Sequence, residues 1–373
     1  MASKSGEAKI TPDLKAEDVA EDFDEGGSAA TDGYVFNAPS DTQDIRMQRQ
    51  AIWGLLRSLG SHILREGVNL TRITLPIRVF EPRSFLQRLT DNWAYVHLLE
   101  QAADAADPAE RMRYLVAFVI GGLRRQTSTL KPFNPILGET YQGQYSSGLR
   151  VFAEQISHHP PVSSWQVEDA AGKFVFHGNG NWKASARGNS IRGQQAGKNS
   201  VHFSKDNSTV TWELPQLLLR GILWGERTLK YSGCITFEDD KTNVRCTVDL
   251  DASAVGWVAS LWKSKKGRKH DELQGILRRG DEVLDTLHGS WLTSLEWKRW
   301  GAGRKVWDAA KSDVSSQQPV KEPLPSDARY RDDLKALLEG NVDAAQENKS
   351  RLEQLQRADQ ALRVVGRKAG ECC

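Results

Sequence analysis

Two adjacent histidines followed by two prolines stand in the segment Glu154–Ser164, EQISHHPPVSS. Pro160 and Pro161 fix their own φ angles, and each pushes the residue before it out of the helical region. The imidazoles of His158 and His159 are therefore expected at the end of a stiff, extended segment. Taken alone, such a pair is more often structural than functional. A second proline-held stretch, Lys131–Thr140 (KPFNPILGET), presents a cation, Lys131, and a carboxamide, Asn134. By itself it reads as a helix-to-strand loop. A third set, Lys349, Glu353 and Arg357, is spaced i, i+4, i+8. That spacing places the three on neighbouring turns of one helix, and the ordinary reading is a solvated salt-bridge ladder.

Other chemistries fail on inspection. Metal binding at His158-His159 would need further ligands at metal-site spacing, and the chain offers no such cluster. Ser163 and Ser164 lack the G-x-S-x-G setting of a hydrolase nucleophile. Gly193–Asn199 is one residue short of a phosphate-binding P-loop and lacks the hydroxyl residue after its lysine. The expectation is a protein that is not an enzyme and has no cofactor.

The elements that must position these groups follow from patterning. The chain has 373 residues, 39% hydrophobic and 26% charged, with a net charge of +2. It can bury a large core, and its near-neutral charge excludes a general polyanion or nucleic-acid binder. Twelve tryptophans suit a large apolar interior or a membrane-facing rim. No run approaches the roughly 18 apolar residues of a membrane span, and the start lacks a secretory core. Four cysteines, two of them terminal, make no disulfide framework. The expected location is cytoplasmic.

Residues 1–45 are acidic and poor in apolar side chains, which predicts a disordered tail. In residues 46–66, Ile52, Leu55, Leu56, Leu59 and Ile63 recur at helical spacing with Trp53 at the border, an amphipathic helix. Helical patterns return over 83–103 and 109–126, the second with Asp107 as N-cap and Pro108 at N1. From Tyr141 to about Trp297 the period becomes two. Val210, Trp212 and Leu214 alternate with polar neighbours, as do Val244, Cys246, Val248 and Leu250. Strands in succession without intervening helices predict an antiparallel sheet closing toward a barrel. After Pro319, Pro323 and Pro325 come two helices, about 328–339 and 342–365, and a short tail, 366–373.

The string around His158-His159-Pro160-Pro161 resembles the signature of the oxysterol-binding protein-related family. The stretch from Lys131 to Glu139 matches the family's second block, and Asn348–Arg357 (NKSRLEQLQR) resembles its terminal block. Asn69–Pro76 with Glu81–Arg88 resembles the segment that joins the family's lid to its helical region. The resemblance covers about residues 46–360, four blocks in order.

That resemblance implies a mixed α+β fold: a large antiparallel β-barrel around a lipid cavity, with an N-terminal lid and helices, and C-terminal helices. In domain terms it implies a tail over 1–45 and one lipid-binding domain over 46–365, followed by the tail over 366–373. Within the domain it implies a lid at 46–66, a helical region at 67–130, a barrel at 131–300 and terminal helices at 326–365. It implies that Lys131, Asn134, His158, His159, Lys349, Glu353 and Arg357 hold the headgroup of phosphatidylinositol 4-phosphate. A dianionic phosphate needs several converging donors, and it raises the pKa of nearby histidines so that they charge and pair with it. Ile52, Trp53, Leu55, Leu56, Leu59 and Ile63 would form the lid, and Gln126 would contact a sterol. The implied function is exchange of phosphatidylinositol 4-phosphate for a sterol between membranes. Phosphatidylserine in place of sterol, or a sensor without transfer, are the rivals. Membrane contact would be peripheral and transient.

Three further features are read at the same level. Tyr34–Ser40 (YVFNAPS), after an acidic tract, is similar to the peptide by which many relatives dock at the endoplasmic reticulum. Lys263–His270 is a basic run, read as a flexible loop or a tether to anionic lipid. The terminal Cys372-Cys373 resembles the end that vesicle-traffic GTPases carry for lipidation, with an unmodified tail as the alternative.

Overall fold

The computed structural model describes residues 33–59, 68–69, 75–250, 271–301 and 305–370. The tail before residue 33, Ile63, the segment Leu70–Thr74, the basic run Lys263–His270 and the pair Cys372-Cys373 lie outside the described residues.

The described chain begins with strand β1 (Tyr34–Val35) and helix α1 (Pro39–Leu59). Strand β2 (Val68–Asn69) follows, then β3 (Phe80–Ser84), helix α2 (Phe85–Leu89), α3 (Val96–Asp104) and α4 (Pro108–Leu123). Strand β4 (Lys131–Phe133) pairs in parallel with β3. The large sheet then runs β5 (Thr140–Tyr145), β6 (Arg150–Ser157), β7 (Val162–Glu168), β8 (Phe174–Arg187), β9 (Ser190–Ala196) and β10 (Asn199–Phe203). It continues with β11 (Ser208–Trp212), β12 (Gln216–Arg220), β13 (Thr228–Ser232), β14 (Cys234–Asp239) and β15 (Val244–Asp249). Last come β16 (Glu272–Arg279), β17 (Glu282–Ser290), β18 (Ser294–Trp297), β19 (Lys305–Asp308) and β20 (Gln317–Pro319). Helices α5 (Asp332–Leu338) and α6 (Val342–Gly370) close the described chain.

Every ladder of the large sheet is antiparallel. From β20 it passes through β5, β6 and β7 to β8. The first half of β8 pairs with β10, and the ladder continues through β11, β14, β15, β16, β17 and β18 to β19. The second half of β8 pairs with β9, and a branch of β12, β13 and β1 grows from there. A strand of 14 residues thus serves two branches of one sheet in turn.

Among the described residues no ladder joins β19 to β20, so the expected barrel stands here as a large open antiparallel sheet. The physical reason is that a helical layer occupies that seam. Ser315, between β19 and β20, donates its backbone N–H to Ala94 at 2.7 Å, and Tyr145 on β5 reaches the Thr90 carbonyl at 3.4 Å. A helix laid along a sheet edge satisfies and protects it without closure.

Helix α4 is the centre of the helical layer. Asp107 caps it, accepting from Ala109 N–H at 3.3 Å, with Pro108 in the first turn. Phe118 meets Phe176 of β8 edge-on at 5.9 Å, and Trp93 meets Phe176 and Trp165 at 5.4 and 6.1 Å. The stretch expected as one helix over 83–103 is divided. Ser84 ends β3 and caps α2 by accepting from Leu86 N–H, and Thr90–Trp93 form a 3-10 turn before α3.

The ordered chain also starts earlier than composition suggests. Val35 pairs with Thr228, Phe36 is 5% exposed and donates its N–H to the Arg227 carbonyl at 3.0 Å. Phe36 of the Tyr34–Ser40 segment is thereby packed into the fold. Among the described residues no helix is long and apolar enough to cross a membrane.

Candidate functional site

A smaller apolar cluster, Ile77, Val79, Phe80, Phe133, Ala328, Leu334, Ala336 and Ala345, joins the 3-10 turn before β3 to β4, α5 and α6. It brings the segment around Phe80, the Lys131–Thr140 block and helix α6 together. Gln346 on α6 accepts the Ile77 N–H at 3.0 Å, and Arg351 pairs with Asp332 at 2.7 Å.

Above this cluster the ring of Phe80 serves as a platform for two cations. Lys131 Nζ stands 5.0 Å and Lys349 Nζ 5.3 Å from its centroid. An aromatic face attracts an ammonium at such range. Lys349 is tied to Glu353 at 2.6 Å, and Lys131 donates to the side-chain oxygen of Asn134. Burial first, and then the charges of Lys349 and Arg331, push the Lys131 ammonium down to about 7; Glu353 acts in the opposite sense. Arg331 is paired with Glu139 and Asp333, whereas Lys131 and Lys349 converge on Phe80 with Glu353 as the carboxylate bonded to Lys349, an arrangement open to an anion.

The histidines enter from the turn between β6 and β7. His158 is half-buried, and His159 is exposed with its ring 4.5 Å from that of His158. Burial and the neighbouring imidazole push His158 down to about 4, against the pull of a hydrogen bond to the Pro135 backbone and of Glu353. Its Nδ1 is buried without a hydrogen-bond partner. A buried ring nitrogen in that state is suited to a ligand group.

Six of the seven expected headgroup residues, Lys131, Asn134, His158, His159, Lys349 and Glu353, are thus assembled at one place. Arg357 is exposed, one turn beyond Glu353 on α6. Sequence reasoning missed four residues. Phe80 carries no charge and gave no signal. Arg331 lies in the region read only as the start of a terminal helix; it donates to the Glu139 carboxylate at 2.7 Å and the Asn134 carbonyl at 2.8 Å. Gln356 carries a buried, unpartnered Nε2 on α6, and the charge of Arg363 reaches His158. Lys349, Gln356 and Arg363 recur every seven residues, a signal that was available as one helix face.

The cluster borders a cavity of about 510 Å³, within the roughly 300–1,000 Å³ of small-molecule pockets. Lys131, Asn134 and His158 line it, with Leu75, Val79 and Phe85, and its walls continue over Leu214, Leu217, Leu219 and Ile222. Ile52 and Leu56 of α1, two residues of the expected apolar stripe, also line it. Trp53 on the same helix is half-buried. The side chains of Leu55 and Leu59, and all of Ile63, are outside the described set. Gln126 lines the cavity and donates its amide to the side chain of Asn92. That contact depends on Gly122, where a Cβ would lie 2.0 Å from the Asn92 carbonyl oxygen.

A family model described as Oxysterol-binding protein matches residues 61–370. The chain belongs to the oxysterol-binding protein family. It is 35% identical over 336 residues to oxysterol-binding protein 9 of Dictyostelium discoideum, covering 85% of this chain and 76% of that protein. To human oxysterol-binding protein-related protein 7 it is 29% identical, covering 82% of this chain but 37% of the relative. The chain therefore spans about a third of the mammalian relatives it matches. Among solved structures it resembles the Osh1 ORD domain in complex with cholesterol, with a TM-score of 0.67, 25% identity and 85% and 80% coverage. The Osh3 ORD in complex with PI(4)P from Saccharomyces cerevisiae shares the fold at a TM-score of 0.67 and 24% identity, with 83% and 84% coverage. This is a lipid-binding domain of the mixed α+β class, in a family of lipid-binding and transfer proteins rather than enzymes.

Proposed function

We propose that this oxysterol-binding protein relative carries lipids between membranes, exchanging phosphatidylinositol 4-phosphate for a sterol. The observation that carries the reading is an apolar cavity with Lys131, Asn134 and His158 in its wall and Lys349 and Glu353 beside them. A lipid leaving a bilayer exposes about 0.8 kcal/mol per methylene, so rapid exit needs an equally apolar receptor. The cavity supplies it, and the cation cluster receives the phosphorylated inositol ring. Lys131, Asn134, His158, His159, Lys349, Glu353 and Arg357 are its headgroup residues. A sterol enters the same space, with Gln126 and its partner Asn92 as the polar pair available to a hydroxyl. The resemblance to a domain crystallised with cholesterol supports sterol as the second ligand. The sheet would close around the bound lipid as a barrel, α1 would open at the membrane, and contact with the bilayer would be peripheral, from the cytoplasm.

Transfer between donor and acceptor vesicles tests this. Sterol transfer should accelerate when the acceptor contains phosphatidylinositol 4-phosphate, and His158→Ala with His159→Ala should remove the acceleration while sterol extraction persists. Phosphatidylserine recovered by native mass spectrometry in place of sterol would move the second ligand to the rival lipid. Binding of both lipids without any transfer would make the protein a sensor.

A further inference from the structure

Arg227 sits in the wall of the same cavity, on the turn between β12 and β13, and is 3% exposed. Its Nε donates to the Gly221 carbonyl at 3.0 Å, Nη2 to the Ile222 carbonyl at 3.3 Å and Nη1 to Gln48 Oε1 of α1 at 3.2 Å. All three acceptors are neutral. Among the described residues no carboxylate pairs with it, and the charge acting on it is another cation, Arg49. Arg49 donates to the same Gly221 carbonyl at 2.8 Å. Gly221 has φ of 72°, and a Cβ there would lie 2.0 Å from the Glu226 carbonyl oxygen, so the turn that shares one oxygen between two arginines requires glycine.

Burial and Arg49 bring the Arg227 guanidinium down to about 10, which leaves it charged at neutral pH. A buried cation beside a second cation is unfavourable until an anion joins it. The guanidinium fork has five N–H donors, and three are engaged here. Gln48, which accepts from Arg227, donates in turn to the Thr129 carbonyl, two residues before Lys131. One side chain of α1 therefore spans the distance between Arg227 and the strand that begins with Lys131.

We propose that Arg227 is a second anion-binding point of the cavity, taking the phosphodiester of a glycerophospholipid. This rests on the lipid-binding reading above. The phosphodiester is the anion that adjoins the glycerol and the acyl chains, and Arg227 stands among Leu219, Ile222 and Leu223 in the apolar wall. The Lys131–His158 cluster then holds the terminal phosphate. A sterol carries no anion, so Arg227 discriminates between the two ligand classes that share the space.

The test compares the full chain with Arg227→Gln, Arg227→Lys and Lys131→Ala. Vesicles of phosphatidylcholine carry either phosphatidylinositol 4-phosphate or cholesterol, and dihexanoyl phosphatidylglycerol serves as a soluble probe with a diester but no terminal phosphate. Arg227→Gln should retain phosphatidylinositol 4-phosphate about tenfold less and cholesterol within twofold of the parent. The soluble probe should raise the melting temperature of the parent and of Lys131→Ala, but not of Arg227→Gln. Equal loss of both lipids, or loss of neither, overturns the proposal. A probe shift kept in Arg227→Gln and lost in Lys131→Ala places the diester at Lys131 and also overturns it. If Arg227→Gln does not fold, Arg227→Lys decides the point: it keeps the charge but not the fork, and undiminished phospholipid retention overturns the assignment. A parent that retains no phosphatidylinositol 4-phosphate yet shows the Arg227-dependent probe shift separates failure of the headgroup reading from failure of this one.

Discussion

The Arg331 guanidinium lies 2.7 Å from the Glu139 carboxylate and, through the same nitrogen, 2.8 Å from the carbonyl of Asn134. Its other nitrogens hold Asp333 at 2.7 and 3.0 Å. Glu139 in turn accepts the Ile136 N–H at 3.1 Å and a hydroxyl hydrogen bond from Ser84. The loop that carries Lys131 and Asn134 is fixed by a buried ionic group that need not touch any ligand.

Replacing Arg331 by methionine strands two carboxylates in the interior. Removing one member of a buried network costs about 3–5 kcal/mol. The expected outcome is a large drop in melting temperature together with loss of phosphatidylinositol 4-phosphate retention, and partial recovery of both in Arg331→Lys. Melting curves and vesicle extraction on the same preparations check it; retention unchanged in a destabilised variant would separate the network from the site.

Lys131 illustrates the opposite trade. Its charge is unfavourable in the empty site because burial, Lys349 and Arg331 oppose it. Lys131→Met should therefore melt higher than the parent by about 2–4 °C while losing headgroup binding. The native pKa of about 7 lies below the ordinary 10.5, so the folded state resists a proton that the unfolded chain holds. The penalty is full below pH 7 and fades as pH rises toward 10.5, and the stabilisation by methionine should follow that profile. Equal melting temperatures at pH 6 would refute it.

Anion binding should take up protons. In the empty site Lys131 titrates near 7 and His158 near 4, and a phosphate raises both. Above pH 7 a ligand must find Lys131 neutral and recharge it, so affinity falls with rising pH by up to about tenfold per unit. Between pH 4 and the bound pKa of His158, protonation of that ring acts in the same sense. Calorimetry of a soluble inositol phosphate in buffers of differing ionisation enthalpy, at pH 6.5 and 8.5, measures the uptake directly. Zero uptake at pH 8.5 would remove Lys131 from the anion site.

The inner face of α1 gives a prediction independent of charge. Ile52 and Leu56 line the cavity. Aspartate at both positions places carboxylates against bound lipid, and each buried charge is strongly disfavoured. The double variant should fold, release lipid at least tenfold faster and bind vesicles less well. Unchanged release would make α1 an ordinary packed helix.

What the sequence disclosed follows from the range over which its signals act. Proline-bounded blocks and helical spacing are local, and read alone they favoured ordinary structural roles; it was their resemblance to the family's blocks that pointed to Lys131, Asn134, His158, His159, Lys349 and Glu353, which the fold brings together. The cap at Asp107 was legible because its signal is local. Arg331 was not, because its partner Glu139 is 192 residues away and nothing near it in sequence marks the pairing. Phe36 was read as tail since its burial depends on strand β13, and Arg227 gave no signal because isolated arginines are ordinarily solvated. Period-two patterning revealed strands but not that β8 serves two branches, a property of register across distant segments.

The arrangement of α6 has a consequence for synthesis. Lys349 and Glu353 meet Lys131 and Phe80 across more than two hundred residues, with Gln346 fastening the helix to Ile77. The sheet and its cavity can form on the ribosome as their strands emerge, since most of their ladders join near neighbours. The cation cluster cannot. Until α6 has been translated and docked, a nascent chain can shelter apolar matter yet lacks part of the group of side chains proposed to receive a phosphorylated headgroup, so the cavity precedes the complete cluster.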